Sequence, residues 1–358
     1  MKRVTTAALL GVTLIAAPAV AGPVGLYSET TLVTSGMDPD LVNPWGVSFS
    51  GSSPFWVSDN GTGKSTLYNS LGVKQGLVVS MPKGSEPVTG QVFNGTANFN
   101  GDAFLFASEN GTIAGWRGAL GTTAEQLFNV IDASYKGLAI SGDKTTLYAA
   151  NFAQGTIDVF NSAGLTGSFS DPTIPADYAP FNVQNIGGTL YVTFAKVGQD
   201  GDDESGAGNG FVDIFDPNTH TFTRLVSQGV LDSPWGLALA PLGFGGLGGD
   251  LLVGNFGDGT INAFDRLTGA LLGTLADENL NPIINDGLWA LTFGNGGNGG
   301  SPHSLYLTAG PNDESAGLFA RIDAVPEPAS VALLSVALGA LGLRRRRALS
   351  LRPAAPRI

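Results

Sequence analysis

The chain has 358 residues and contains 52 glycines and no cysteine. The lack of cysteine excludes a disulfide framework, a thiolate zinc site and a cysteine nucleophile. Only 13% of the residues are charged, whereas 43% are hydrophobic, a profile typical of short strands joined by glycine-rich turns and not of a helical bundle.

The charge is distributed unevenly along the chain. Eight of the 18 basic residues lie at the two ends, in Lys2, Arg3 and the six arginines from Arg344 onward. Residues 22–343 therefore hold 10 basic against 30 acidic residues, a net charge of −20. Such a body repels phosphate backbones, which argues against nucleic acid as a partner.

Residues 1–21 have the three parts of a secretory signal peptide. Lys2 and Arg3 form a basic start, Ala7 to Ala17 is an apolar run, and Ala19-Val20-Ala21 is a small-x-small cleavage site. We expect the Sec machinery to export the chain and the mature protein to begin near Gly22. A buried first strand or helix is the alternative interpretation.

The body, residues 22–324, repeats one pattern six times. In its fullest form, a Trp-Gly or Gly-Leu strand precedes an apolar strand that ends in Asn, and a Gly-Thr-Ile strand follows, as in Pro234–Leu239, Asp250–Asn255 and Gly259–Phe264. The unit starts at 137, 182, 236 and 289 lie 45, 54 and 53 residues apart. Four-stranded repeats of roughly 40–50 residues are typical of propeller blades.

These repeats predict an all-β fold, a six-bladed β-propeller. We expect the segment Gly25–Val33 to complete the last blade beside Ala316–Asp323, because ring closure removes free sheet edges. A pair of β-sandwiches is the structural alternative.

Several stretches carry a resemblance to an uncharacterised family of bacterial propeller proteins. They are Asn43-Pro-Trp-Gly-Val, Phe55-Trp-Val-Ser-Asp-Asn-Gly-Thr-Gly, Gly208-Asn-Gly-Phe-Val-Asp-Ile-Phe-Asp and Ser233-Pro-Trp-Gly-Leu-Ala. More distantly, the blades resemble NHL-type and gluconolactonase-like propellers. The nearer family implies the fold and export, and the distant one implies a divalent metal near the axis, held by carboxylate and amide oxygens.

An acidic loop is the first candidate metal site. Asp200, Asp202, Asp203 and Glu204 lie on a glycine-bounded loop whose oxygens could bind Ca²⁺, the candidate cofactor. Ser205 and Phe211 stand where an EF-hand requires Gly and Glu, so this is no EF-hand. A solvated loop between strands is the alternative.

A set of asparagines is the second candidate site. Each of them ends a middle strand, so a propeller could bring them together near the axis: Asn60, Asn110, Asn151 and Asn255. Strand alternation predicts that the preceding Asp59 and Glu109 point elsewhere, which leaves no evident carboxylate partner. Turn chemistry of Asn is the alternative.

The recurring tryptophans and the two histidines give weaker evidence for a functional site. Trp45, Trp235 and Trp289 recur at blade starts, where they serve packing between blades or a stacked sugar platform. The only histidines, His220 and His303, lie in turn-like surroundings, and no Gly-x-Ser-x-Gly motif is present. We assign no catalytic residue from these patterns.

The tail, residues 325–347, has three parts in a fixed order. Pro326-Glu327-Pro328 precedes the uncharged segment Ala329–Leu343, and then come Arg344, Arg345, Arg346 and Arg347. Fifteen uncharged residues are short of the ~20 of a spanning helix, and four arginines resist crossing, so we expect inner-membrane anchoring, transient or permanent, with the body outside. Residues 348–358 are expected to be a disordered tail.

This order resembles a PEP-CTERM sorting signal, which implies recognition by an exosortase and cleavage near the Pro-Glu-Pro. The implied destination is the cell surface or extracellular matrix. An ordinary C-terminal anchor is the alternative.

Three functions remain open from the sequence. The leading hypothesis is an exported binding or scaffold protein that contacts matrix polysaccharide or protein. A metal-dependent lactonase-like hydrolase with its site on the propeller axis is the rival, and a purely structural matrix element is the third. A carboxylate and two amides that converge on the axis would favour the hydrolase.

Overall fold

The computed structural model describes residues 22–325, and the predicted signal peptide and sorting tail lie outside this range. The first six strands are β1 (Pro23–Val24), β2 (Tyr27–Thr34), β3 (Pro44–Ser48), β4 (Phe55–Asp59), β5 (Lys64–Tyr68) and β6 (Lys74–Ser80). The next eight are β7 (Val88–Phe93), β8 (Phe104–Ser108), β9 (Thr112–Trp116), β10 (Glu125–Asn129), β11 (Tyr135–Ile140), β12 (Leu147–Asn151), β13 (Thr156–Asn161) and β14 (Gly164–Phe169).

The remaining strands complete three further sheets. They are β15 (Tyr178–Ile186), β16 (Thr189–Lys196), β17 (Gly210–Asp216), β18 (Thr221–Ser227), β19 (Pro234–Leu239), β20 (Leu251–Asn255), β21 (Ile261–Phe264), β22 (Leu271–Leu275), β23 (Leu288–Phe293), β24 (Leu305–Ala309) and β25 (Leu318–Ala324). Residues 22–325 contain three 3₁₀ turns and no α-helix, and none of their helices has the length and hydrophobicity of a membrane span.

The strands form six sheets, which confirms the six-bladed propeller. Blades I to IV each contain four consecutive antiparallel strands, beginning with β3, β7, β11 and β15, and blade V contains β19 to β22. Blade VI contains β23, β24 and β25, and β2 supplies its fourth strand. The predicted closure of the ring is thus confirmed, with Tyr27 opposite Ala324 and Thr34 opposite Leu318. The short β1 adds a parallel fifth strand to blade V that the sequence did not predict.

The core is divided among the blade interfaces. Six apolar clusters lie between neighbouring blades, as where Trp56 of blade I stacks on Phe104 of blade II at 3.9 Å between ring centroids. Each sheet is therefore buried on both faces, which explains strands such as β12 and β24 in which every residue is buried. A seventh cluster lies on the axis of the ring.

A β-bulge recurs at the same place in the innermost strand of every blade. The register shifts within the first five residues of β3, β7, β11, β15, β19 and β23. A bulge leaves one residue unpaired and redirects its side chain. The six residues at this position are Trp45, Thr89, Lys136, Phe181, Trp235 and Trp289.

Glycine next to the bulge allows neighbouring inner strands to approach closely. A Cβ on Gly46 would lie 2.6 Å from the Thr89 carbonyl oxygen, and one on Gly90 would lie 2.4 Å from the Leu138 nitrogen. These distances are shorter than van der Waals contact, so a larger residue would push the blades apart. The repeated Trp-Gly dipeptide thus combines an axial side chain with a close backbone contact.

Candidate functional site

Aromatic side chains from the bulges fill the axis. Trp45 stacks on Trp289 at 3.5 Å between ring centroids, and Trp235 meets Trp289 edge-on at 5.8 Å. The three tryptophans are at most 4% exposed. Packing between blades is therefore confirmed, and the sugar platform is wrong, because a buried indole face cannot stack on a ligand.

Lys136 is the one charged member of this ring. Its side chain is 4% exposed, and its ammonium group contacts Glu109 and lies 2.9 Å from Asp202 Oδ1. The same nitrogen lies 5.3 Å from the Trp45 ring centroid, within range of a cation–π interaction. Burial alone would lower the pKa of Lys136, but the charges of Glu109 and Asp202 outweigh burial and raise it.

Two amides and a second glutamate adjoin this ion pair. Asn60 Nδ2 donates to Glu109 Oε2 at 3.0 Å, and Asn43 Nδ2 donates to Glu314 and lies 3.4 Å from Asn60 Oδ1. Asn43 Oδ1 accepts from the Trp289 indole at 2.8 Å, which ties the amide to the aromatic ring. Asn43, Asn60, Glu109, Lys136, Asp202 and Glu314 are here named the axial polar cluster.

The topology places the axial polar cluster at one end of the axis. Asn60, Glu109, Asp202 and Glu314 come from connections between the second and third strands of blades I, II, IV and VI. Asn43 and Lys136 come from the start of the inner strand in blades I and III. In each blade the second strand runs back toward the start of the first, so all six residues meet at one face of the propeller.

Negative charge and burial act together on Glu314. Burial raises its pKa, and the neighbouring carboxylates Asp202 and Glu109 raise it further, against the lowering effect of the hydrogen bond from Asn43. Glu314 and the two residues before it have left-handed backbone angles, with φ of 58°, 51° and 61° for Asn312, Asp313 and Glu314. Non-glycine residues rarely adopt this conformation, and strain of this kind clusters at functional sites.

The predicted asparagine set is only partly brought together. Asn60 belongs to the axial polar cluster, whereas the other three serve local turns or strands. Asn151 Nδ2 donates to Asp158 at 2.9 Å, Asn255 Nδ2 donates to the Val230 carbonyl at 2.8 Å, and the exposed Asn110 accepts from Asn129 through its backbone oxygen. A metal-binding role for these amides stays a prediction.

The expected direction of Glu109 was wrong. Glu109 lies after the last residue of β8, so strand alternation no longer decides where its side chain points, and it turns to Asn60 and Lys136. The expectation is correct for Asp59, which is fully buried inside blade I beside Thr66, at 2.7 Å. Burial raises the pKa of Asp59 well above its ordinary value.

The four carboxylates of the acidic loop have separate roles. Asp202 pairs with Lys136, Glu204 lies 2.7 Å from the Lys196 ammonium, and Asp200 Oδ1 accepts from the Asp202 backbone N–H. Burial raises the pKa of Asp203 to about 6. Within residues 22–325, no group of three or more acidic or histidine side chains is arranged to hold a metal ion. The calcium site stays a prediction.

Neither histidine lies near the axis. His220 is exposed and stacks on Phe169 at 3.9 Å, and His303 is exposed in a turn before β24. The expectation that both are surface residues is confirmed.

Sequence reasoning missed four of the six residues of the site: Asn43, Glu109, Lys136 and Glu314. Lys136 had a detectable signal, because Lys136-Gly137 stands in register with the Trp-Gly dipeptides of blades I and V. Asn43 and Glu314 had none, because their proximity depends on ring closure between blades I and VI.

Comparison with known proteins places this fold in a family. The chain is 34% identical over 329 residues to uncharacterized protein R648 of Acanthamoeba polyphaga mimivirus, with 83% of this chain and 78% of the relative aligned. The chain belongs to the same family as this protein. A second mimivirus relative, uncharacterized protein L690, is 32% identical over 331 residues, with 83% and 84% of the two chains aligned.

The tail matches a second, separate signature. Residues 324–347 match the PEP-CTERM protein-sorting motif, which confirms the resemblance inferred from Pro326-Glu327-Pro328 and the arginine cluster. The motif implies recognition by an exosortase and export to the cell surface or extracellular space.

Solved structures share the fold at low identity. A glucose dehydrogenase has a TM-score of 0.54 and 12% identity over 83% of this chain and all of that chain. Streptogramin B lyase has a TM-score of 0.52 and 9% identity over 84% and 98%. A catalytically inactive histidine-to-alanine variant of virginiamycin B lyase from Staphylococcus aureus, solved with quinupristin, has a TM-score of 0.51 and 12% identity over 84% and 100%.

Proposed function

We propose that the protein is an exported binding or scaffold protein of the cell surface or extracellular matrix, whose contact face is the propeller face that carries the axial polar cluster. The observation that carries this proposal is the pairing of Lys136 with Glu109 and Asp202. An internal ammonium group neutralises the carboxylates that a catalytic metal would need. The sorting motif supports the location.

The charge of this face indicates the kind of partner. Three carboxylates outnumber one ammonium group in the axial polar cluster, and Asp202 is 59% exposed. The aromatic residues close the axis behind the cluster, so a partner contacts a shallow surface and does not enter a deep pocket. Such a surface suits cationic groups on a matrix protein or an amino-bearing glycan.

Retention of the purified full chain on isolated cell-surface material tests this proposal. We expect retention that weakens as salt rises, because exposed charges are screened over about 8–10 Å near physiological ionic strength. The variants Glu109→Gln and Asp202→Asn should weaken retention, whereas Glu278→Gln, an exposed acid on the β22–β23 connection, should not. Equal retention of all variants would refute the proposed contact face.

One observation favours a second candidate, a metal-dependent lactonase-like hydrolase. Two amides and two carboxylates do converge, in Asn43, Asn60, Glu109 and Glu314. Hydrolysis of lactones by the full chain with added divalent cations, abolished by Glu109→Gln, would support this candidate. Chemistry like that of virginiamycin B lyase is disfavoured, since an inactive variant of that enzyme lacks a histidine and this propeller has no histidine on its axis.

A further inference from the structure

The end of the axis opposite the axial polar cluster opens into a cavity of about 360 Å³. All six inner strands line it: five through residues that follow the bulge residue, and β19 through its bulge residue Trp235. Trp235 and Ala290 belong both to its wall and to the aromatic cluster on the axis. The cavity and the axial polar cluster therefore lie on opposite sides of the aromatic residues. We call it the distal cavity.

Lys144 is the only titratable residue in the wall of the distal cavity. Ten basic residues lie in residues 22–325. Of these, seven form ion pairs: Lys64, Lys74, Arg117, Lys136, Lys196, Arg224 and Arg321. Lys83 and Arg266 have no ion pair but are exposed. Lys144 is thus the one partly buried basic residue of the described chain without a carboxylate partner.

The fold fixes Lys144 at the cavity. It lies in the β11–β12 turn with φ of 62°, its N–H donates to the Ser141 carbonyl at 3.0 Å, and its carbonyl accepts from Asn98 Nδ2 at 2.9 Å. Burial lowers the pKa of Lys144, and no neighbouring charge offsets this effect. An anion bound beside the Lys144 ammonium group would favour its charged form and so offset this effect of burial.

The neutral groups of the wall fall into two classes. Gln91 is engaged, since its amide donates to the carbonyls of Gly46 and Trp56 at 2.8 and 2.9 Å. Gln184 is different, because its side-chain amide makes no hydrogen bond within residues 22–325. Phe49 and Phe93 add apolar surface. The wall therefore offers one cation, a free amide and apolar contacts.

We propose that the distal cavity binds a carboxylated sugar unit, a uronate, either free or at the end of an acidic glycan. Lys144 pairs with the carboxylate, Gln184 bonds to ring hydroxyls, and the phenylalanines cover the apolar face of the sugar. The volume lies at the low end of the roughly 300–1,000 Å³ found for ligand sites, which suits one sugar unit. This site does not depend on the proposed contact face, which lies at the other end of the axis.

Titration calorimetry of the full chain with galacturonate, galactose and a short oligogalacturonate tests the assignment. We expect galacturonate to bind and galactose to bind roughly tenfold or more weakly, because a hydrogen bond to a charged group contributes about 1.5–3 kcal/mol. Lys144→Met should weaken galacturonate binding by a similar factor, and Gln184→Ala by less. Lys83→Met is the matched control and should bind as the wild type does.

The outcomes separate the two sources of the uronate. If galacturonate binds and Lys144→Met abolishes that binding, the result supports a free uronate as the ligand. If only the oligogalacturonate binds, with the same loss in Lys144→Met, the result supports the end of a glycan. Binding of neither sugar by a folded protein overturns the proposal, as does binding that Lys144→Met leaves unchanged. The melting temperature of Lys144→Met checks that the variant is folded.

Discussion

The two ends of the propeller axis are built by the same six strands and differ in how their charges are compensated. At one end, Lys136 is buried among aromatic rings and paired with Glu109 and Asp202. At the other end, Lys144 is partly buried and has no carboxylate partner. A paired charge holds the fold in place, whereas an unpaired one leaves its desolvation cost to be offset by a ligand.

The largest expected effect comes from removing the paired lysine. Lys136→Met leaves Glu109 and Asp202 without their cation, and we expect a loss of about 2–4 kcal/mol in the free energy of unfolding. Urea unfolding followed by tryptophan fluorescence measures this loss. Lys144→Met removes an unpaired charge and should change the free energy by less than about 1 kcal/mol. Equal losses in both variants would contradict the contrast between the two ends.

A backbone substitution tests whether both ends depend on the close approach of inner strands. Gly90→Ala would place a Cβ 2.4 Å from the Leu138 nitrogen, and we expect a loss of about 1–3 kcal/mol. Gly76 of β6 has no atom within 4 Å of such a Cβ, so Gly76→Ala is the control and should cost nothing or stabilise slightly. Similar stabilities of the two variants would show that the inner strands can move apart.

The end of the axis that carries the axial polar cluster should make stability depend on pH more strongly than the end with the distal cavity does. Burial raises the pKa of Asp203 to about 6, so the folded state binds more protons than the unfolded state between pH 4 and 6. Stability should therefore fall by roughly 1–2 kcal/mol through Asp203 as pH rises through this window. Burial also raises the pKa of Asp213, to about 7, so Asp203→Asn should reduce the total fall without abolishing it.

The control for this pH effect is Asp143, near the distal cavity. Hydrogen bonds from Ser141 and Thr145 lower its pKa, so its contribution to stability is present above its ordinary pKa and is lost at lower pH. Asp143→Asn should leave the fall between pH 4 and 6 intact. Chemical unfolding at several pH values measures both variants, and a fall in Asp203→Asn as large as that of the wild type would contradict the assignment.

The smallest expected effect concerns calcium. Because Lys136 and Lys196 already pair with Asp202 and Glu204, we expect the melting temperature of the full chain to be the same in Ca²⁺ and in EDTA within about 1 °C. A site occupied at a hundredfold excess over Kd would add about 2.7 kcal/mol. A clear rise in Ca²⁺ would overturn this expectation and favour the hydrolase.

The repeats allowed the fold to be predicted from the sequence. Each blade restates the same strand pattern, so six weak signals support one architecture, and the closing strand follows from ring geometry. The inner strand β7 was the exception, because its first four residues, Val88-Thr89-Gly90-Gln91, include only one apolar side chain. The short β1 also gave no signal, since two residues are too few to show alternation.

The axial polar cluster was harder to predict from the sequence, because its residues lie at positions where the repeats differ from one another. Lys136 is a charged residue at a position that is aromatic in four of the six blades, and this difference is visible only after the blades have been aligned. Glu109 and Glu314 lie in connections whose backbone follows no strand period, and Glu314 reaches Asn43 across the seam of the ring. Lys144 becomes notable only when the partners of every other basic residue are known.

The pairing of β2 with β25, which joins the first and last parts of the body, also affects how the body resists a pulling force. β25, from which the sorting tail continues, is bonded to β24 on one side and to β2 on the other. Without β2 it would be an edge strand that a pull on the tail could peel away one hydrogen bond at a time. With β2 in place, the hydrogen bonds of β25 to β24 and to β2 must break together. If the tail tethers the body, the tether is therefore attached to an interior strand that β2 secures.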